Sequence, residues 1–183
     1  MEVKGAAVVS IPKYVKKNFP ERYEEWLDSL SERSKDIMEY PLTSMWYPME
    51  EAISEPTKKL CELFFDSKLI GARECGKFSA EHALKGIYRF FVRMGSPSFI
   101  LSRASRILPT YYMPSKIELS EMESKYAVLT ITEFPESTVY IEERIKGWII
   151  RALELSGCRG VMLDTVKSLT KGHEFTRFKV SWN

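Results

Sequence analysis

The residues able to hold a metal or act as a soft nucleophile are few: Cys61, Cys75, Cys158, His82 and His173. Cys75 and His82 stand seven apart, so a helix carrying both would present them on one face. A thiol beside an imidazole can act as a nucleophile and its base when the thiol pKa is depressed. The bland alternative is a small buried thiol and an ordinary polar histidine. A structural zinc site normally takes four ligands, often in close Cys-x-x-Cys pairs. The sequence has no such pair, and no metal is expected. Ser10-Ile-Pro-Lys13 spells an S-x-x-K motif, but no Ser-Asp-Asn accompanies it, and Ser10 is better explained as a helix cap. There is no Gly-x-Ser-x-Gly elbow. The stretch from Gly71 to Gly76 lacks the Lys-Ser/Thr of a phosphate loop. No catalytic residue is expected.

The aromatic residues say more. Tyr88, Phe90, Phe91, Phe99, Tyr111 and Tyr112 bracket the middle of the chain, with Trp46, Tyr47, Phe64 and Phe65 upstream. Each taken singly is a core residue by default. Tyr111-Tyr112, between Pro109 and Pro114, is less core-like. A pocket between two packed layers is a common place for an apolar ligand. Cys75, His82, Tyr88, Phe91, Phe99, Tyr111 and Tyr112 are therefore the candidate ligand-binding residues.

Composition bounds what these residues can belong to. The 183 residues suffice for one domain, 1–183, with a sizeable core. Lys+Arg less Asp+Glu is 27 − 25 = +2, with 44% hydrophobic and 28% charged residues, ordinary for a globular protein. That excludes a collagen, a coiled-coil rod and a disordered tail. It also argues against a nucleic-acid partner, which calls for a basic stripe. No apolar run approaches the roughly 20 residues of a membrane span, and the N-terminus does not read as a secretory signal. Three separated cysteines suggest reduced thiols in a cytoplasm.

The elements that must position the candidates change character along the chain. Residues 1–112 read as mainly helical. Val3–Val9 is a strand or an extended lead-in, and Ser10 caps a helix over Ile11–Phe19. A second helix, Glu21–Leu30, buries Tyr23, Trp26, Leu27 and Leu30, which recur at spacings of three and four. Ser31–Tyr40 makes a third. Pro48–Phe65 reads as a helical pair broken near Pro56. Ser79 caps a helix reaching Met94, and Ser96-Pro97 opens another that Pro109 stops. Residues 113–183 read as β-β-α-β-β. Lys116–Glu123 and Tyr126–Glu133 alternate as antiparallel strands. Thr138–Ser156 is an amphipathic helix with Ile141, Ile145, Trp148, Ile149 and Ala152 on its buried stripe and Gly157 beyond its end. Val161–Leu169 and Glu174–Trp182 form a second hairpin. The expected fold is α+β, a helical part packed on a four-stranded antiparallel sheet.

Several stretches resemble known families. Val3-Lys4-Gly5 leading into Pro12–Phe19 and then Trp26-Leu27 resembles the opening of heme-nitric-oxide/oxygen-binding (H-NOX) domains. Arg89-Phe-Phe-Val-Arg-Met94 and the tail ending Lys179-Val-Ser-Trp182 extend the likeness. The second half is similar to a myxobacterial paralogous family of unknown function, through Met94-Gly-Ser-Pro-Ser-Phe-Ile-Leu101 and Leu153-Glu-Leu-Ser-Gly-Cys-Arg-Gly160. That family is grouped with 4-vinyl reductase domains and small TRAPP vesicle-tethering subunits. The resemblance spans nearly the whole chain and implies a ligand-binding sensory fold.

Heme binding does not carry over residue by residue. Ser98 stands near the proximal histidine position, and no histidine lies between Gly95 and Gly172. Serine does not replace imidazole as an axial ligand. The Tyr-x-Ser-x-Arg motif that holds the heme propionates is matched only by Tyr140-Ile-Glu-Glu-Arg144, where Glu142 would repel them. No heme, and no other cofactor, is expected. In TRAPP subunits a cysteine can carry a buried acyl chain, a role with which Cys75 can be compared. Three readings follow, in this order: a heme-independent sensory domain that binds an apolar or lipid-like small molecule and reports to a signalling partner; a homodimeric interaction module with a filled core; and an enzyme acting on an aromatic or isoprenoid-like substrate.

Overall fold

The computed structural model describes residues 1–84 and 96–183, with backbone alone at 104 and 105. The opening is neither one strand nor an extended lead-in. Strand β1 (Glu2–Lys4) turns at once into helices α1 (Gly5–Val8) and α2 (Ser10–Asn18). The turn falls at Gly5, whose N–H donates to the Met45 carbonyl at 2.8 Å and whose missing side chain lets the Leu42 carbonyl approach. Because α2 follows α1 with Val9 itself helical, Ser10 has no free helix end to cap. Its hydroxyl donates back to the Ala7 carbonyl at 2.7 Å.

Helix α3 (Tyr23–Asp28) buries Tyr23, Trp26, Leu27 and, just beyond it, Leu30 as the periodicity requires. The Trp26 indole donates to the Pro56 carbonyl at 3.1 Å. Helix α4 (Glu32–Glu39) is capped by Ser31. Strand β2 (Trp46–Pro48) pairs with β1, which pairs on its other edge with β3 (Tyr112–Met113). This small sheet joins the two halves and has no signal in the sequence, because each strand is only two or three residues long. The expected break at Pro56 is absent. A π-helical turn, Glu50–Ser54, runs directly into α5 (Glu55–Phe64), and Pro56 lies just past the change from π- to α-helical winding.

Helix α6 runs Ile70–Ala83, so Ser79 lies within it and caps nothing. The rest of the helix expected up to Met94 lies outside the described residues. Helix α7 (Pro97–Tyr111) is capped by Ser96, which accepts from the Phe99 N–H at 3.3 Å. It is not stopped by Pro109: a last turn continues, closed by the Tyr112 N–H on the Leu108 carbonyl.

The second half matches its pattern closely. Strands β4 (Lys116–Met122) and β5 (Tyr126–Thr132) are joined by a tight turn. Helix α8 (Val139–Leu155) follows, then β6 (Met162–Lys167) and β7 (Thr176–Ser181). All neighbours are antiparallel, in the order β4-β5-β7-β6. Both outer strands carry an irregularity in register, at Leu119/Glu121 in β4 and Thr165/Lys167 in β6. Alternate residues face the core, among them Ile117, Leu129, Ile131, Phe178 and Val180. Thr138 caps α8, accepting from the Ile141 N–H at 3.3 Å, and Gly157 ends it at φ +100°. The fold is α+β, with helices over a four-stranded antiparallel sheet, as the sequence pattern indicates.

Helix α8 is buried on more than its apolar stripe, for Glu142, Glu143, Arg144 and Lys146 are buried too. Helix α6, which lies directly against it, meets Glu143 through Arg73 and Arg144 through Cys75, while Glu142 is met by Ser168 and Thr176. At Gly76 a β-carbon would collide with the Arg144 carbonyl, and at Gly147 with the Arg73 carbonyl. The two helices thus meet backbone to backbone. A glycine-to-alanine change inside a helix ordinarily stabilises by about 0.5–1 kcal/mol. Gly76→Ala and Gly147→Ala are expected instead to destabilise by about 3 kcal/mol or more in urea unfolding, because backbone cannot give way as a side chain can. Unchanged or raised stability in both variants would contradict this packing.

Candidate functional site

Beside Gly76, residues of α6 and α8 line a cavity of about 60 Å³. Ala6 and Ala7 of α1 close one end. Ser79 and Ala83 of α6 face Ile107, Leu108 and Tyr111 of α7 across it. Ile145, Trp148 and Ile149 of α8 form the floor, with Ile117 and Tyr112 at the side. The wall is therefore mostly apolar, with two tyrosines, one serine and one charge, Arg144.

Arg144 is 4% exposed. One terminal nitrogen of its guanidinium donates to the Cys75 sulfur at 2.7 Å, and the other to the Ser10 hydroxyl at 3.5 Å. The Tyr112 hydroxyl is also hydrogen-bonded to it. Its Nε–H has no hydrogen-bond partner, and no carboxylate pairs with it among the described residues. A guanidinium is charged at any pH the protein meets, so this is a buried positive charge whose nearest partners are neutral when protonated. Desolvation pushes the Cys75 thiol above its ordinary pKa against the pull of Arg144, and burial does the same to the Tyr112 hydroxyl.

The carboxylates that precede Arg144 on α8 are committed elsewhere. Glu142 accepts from the Ser168 hydroxyl, at 2.8 and 2.9 Å, and from the Thr176 hydroxyl, which ties α8 to the loop and strand beneath it. Glu143 pairs with Arg73 and Lys146, both at 2.6 Å. A larger surface hollow of about 290 Å³ lies beside Tyr14 and Phe78. Its charges answer one another: Lys77 with Glu74 at 2.8 Å, and Arg151 with Glu81 and Glu154 at 2.7 and 2.9 Å.

The candidates named from sequence fall in several places. Tyr111 and Tyr112 line the cavity. Cys75 lies behind its wall and touches it through Arg144. His82 shares α6 with Cys75 but stands near Lys13 Nζ, at 3.3 Å, with its ring stacked on Phe78. Phe99 is 38% exposed on the first turn of α7, under Arg103. Tyr88 and Phe91 lie outside the described residues. Phe19, Phe64 and Phe65 form a separate cluster, the first two stacked at 4.1 Å. Among the described residues no three His, Cys, Asp or Glu side chains converge as a metal site would need. Arg144, Trp148 and Ile107 were missed as candidates. Arg144 had a signal: it stands on the stripe of Ile141, Ile145 and Trp148, where a charge is out of place.

No family model matches the sequence, and no curated protein does. Solved structures do. An H-NOX protein from S. oneidensis in the Fe(II)NO state superposes with a TM-score of 0.75 at 9% identity, covering 98% of this chain and 99% of that one. An unliganded Fe(II) H-NOX protein from K. algicida gives a TM-score of 0.71 at 12% identity, over 98% and 96% of the two chains. The fold is the H-NOX fold. At these identities the likeness establishes the fold alone. Among the described residues no helix is long and apolar enough to cross a membrane.

Two expectations follow from the buried cluster. Replacing Arg144 by methionine fills its space without its desolvation cost, so stability should stay within about 1 kcal/mol of the parent or rise. A loss of about 3 kcal/mol in urea unfolding would instead make Arg144 a structural keystone. Desolvation also pushes the Cys61 thiol up to about 11, from an ordinary 9.0. The unfolded chain then releases this proton first as pH rises. Stability should be full below about pH 9 and fall by roughly 2–3 kcal/mol by pH 11. Cys61→Ala should flatten that part of the urea-midpoint profile.

Proposed function

We propose that this chain is a sensory domain of H-NOX architecture that binds a small molecule without heme, in the cavity between α1, α6, α7 and α8, and reports occupancy to a partner. The observation that carries the reading is the cavity itself. It is apolar on most of its wall, is built where the helical half meets α8 and the sheet, and carries one buried charge. A cavity so placed can change the packing of α6 against α8 when filled, which is how a ligand shifts a two-state equilibrium. The resemblance of the second half to the myxobacterial family, which is grouped with 4-vinyl reductase domains and TRAPP subunits, supports the reading of a fold used without heme.

The similar H-NOX proteins from S. oneidensis and K. algicida hold Fe(II). A heme does not suit the residues described here, on three grounds. The cavity is about 60 Å³, against the roughly 300–1,000 Å³ usual for a bound organic molecule. The α6–α8 contact at Gly76 and Gly147 closes the space beside it. Ser98 stands on the first turn of α7, and neither His82 nor His173 lines the cavity: His82 stacks on Phe78, and His173 lies near the Ser168 carbonyl. A ligand of a few heavy atoms fits the volume better than a lipid does.

A dimerising module is the second reading. It is favoured by the loop before β2, where Tyr40, Leu42 and Met45 are 80%, 60% and 50% exposed. Native mass spectrometry of fresh protein, with an absorption spectrum of the same sample, separates the readings. The expected result is a reproducible small added mass lost on denaturation and no Soret band. A Soret band would overturn the heme-free reading. A ligand-free mass at the dimer would put the interaction module first.

A further inference from the structure

The buried guanidinium of Arg144 is the group that nothing else in the fold explains. It is in the cavity wall, it is 4% exposed, and one of its N–H groups is unpartnered among the described residues. A buried charge without a counter-charge costs several kcal/mol, and arginine cannot escape the cost by losing its proton. Its partners among the described residues, Cys75, Ser10 and Tyr112, are all neutral when protonated, and the Ser10 hydroxyl already donates to the Ala7 carbonyl. The nearby carboxylates Glu142 and Glu143 are held by other groups. Nor can the undescribed stretch supply one. From His82 to Ile117 the sequence has Lys85, Arg89, Arg93, Arg103, Arg106 and Lys116, and no aspartate or glutamate. The counter-charge missing among the described residues is left to come from outside the chain, or from ionising Cys75 or Tyr112.

We propose that the cavity binds a short-chain monocarboxylate, its carboxylate on Arg144 and its apolar tail between Ala83, Leu108 and Trp148. This rests on the reading of the cavity as a ligand site and names the ligand's class. The guanidinium matches a carboxylate in charge and planar geometry. The Ser79 and Tyr112 hydroxyls stand in the same wall as further hydrogen-bonding groups. The rest of the wall is alanine, isoleucine, leucine and aromatic surface, which suits a short alkyl chain and offers nothing to a second charge. A volume of about 60 Å³ sets the size at a few heavy atoms.

The test uses sodium butyrate and its neutral isostere butyramide at constant ionic strength. Binding is read by isothermal titration calorimetry and by the fluorescence of Trp148, with Trp148→Phe as the control for the other three tryptophans. Butyrate is expected to bind and butyramide to bind at least about tenfold more weakly. Arg144→Met should lose about 10- to 100-fold in butyrate affinity and bind the two compounds alike. Arg144→Lys should keep part of the preference. Ala83→Leu, which narrows the cavity and leaves Arg144 in place, should weaken both compounds and shows that the site is the cavity.

Equal binding of butyrate and butyramide by the parent protein would overturn the carboxylate assignment and leave the cavity standing as an apolar site. Binding of butyrate that Arg144→Met and Ala83→Leu do not change would place it elsewhere and overturn the proposal. Binding of neither compound, with a thiolate absorbance at neutral pH that Cys75→Ser removes, would give the counter-charge to Cys75 and overturn it as well. Binding of neither compound together with a ligand-free native mass would remove the ligand site altogether.

Discussion

The backbone contact between α6 and α8 is the constraint on which the rest is arranged. Two glycines on different helices, Gly76 and Gly147, each accept a carbonyl of the other helix where a side chain would stand. That contact draws α8 off the surface and covers its second face. It explains why a helix patterned as half-exposed buries Glu143, Arg144 and Lys146. The cavity lies beside this contact, with Gly76, Ala83 and Trp148 in its wall. The buried charges are then handled separately. Glu142 is met by hydroxyls of the strand layer, Glu143 by two cations, and Arg144 by a thiol and two hydroxyls.

How much of this could be read from the sequence depends on the length of the pattern. The second half was legible because its strands alternate over seven residues and α8 repeats over seventeen, so the period is unambiguous. In the first half, Tyr23, Trp26, Leu27 and Leu30 were legible for the same reason. Punctuation was less so. Ser79, Pro56 and Pro109 read as starts and stops, yet each lies within continuous helix. A cap residue acts only where a helix end needs a partner, and a proline is tolerated in a first turn or a last one. The three-stranded sheet was invisible, since β3 offers two residues and its partners come from more than sixty positions away.

The site was legible in part, for a related reason. Sequence reasoning sought aromatic residues and soft ligands, and so found Tyr111 and Tyr112. It took Arg144 only as an imperfect match to a family motif. The informative fact was positional, a charge on the apolar stripe of a helix. Its weight becomes visible only once α6 is seen to cover that stripe and Cys75 is seen to be the nearest sulfur. Glu142, read as a departure from the motif, turns out to fasten α8 to Ser168 and Thr176.

The irregular registers of the two outer strands bear on how the protein behaves in concentrated solution. A flat sheet edge is a template on which a second molecule can add a strand. Here β4 is kinked between Leu119 and Glu121 and carries Lys116, Glu118 and Glu121, while β6 is kinked between Thr165 and Lys167 and carries Asp164 and Lys167. Kinks twist the free backbone groups out of line, and the charges resist a dry, edge-on approach. Both rims of the four-stranded sheet are therefore poor nuclei for fibril growth, even though β6 exposes Met162 and Val166.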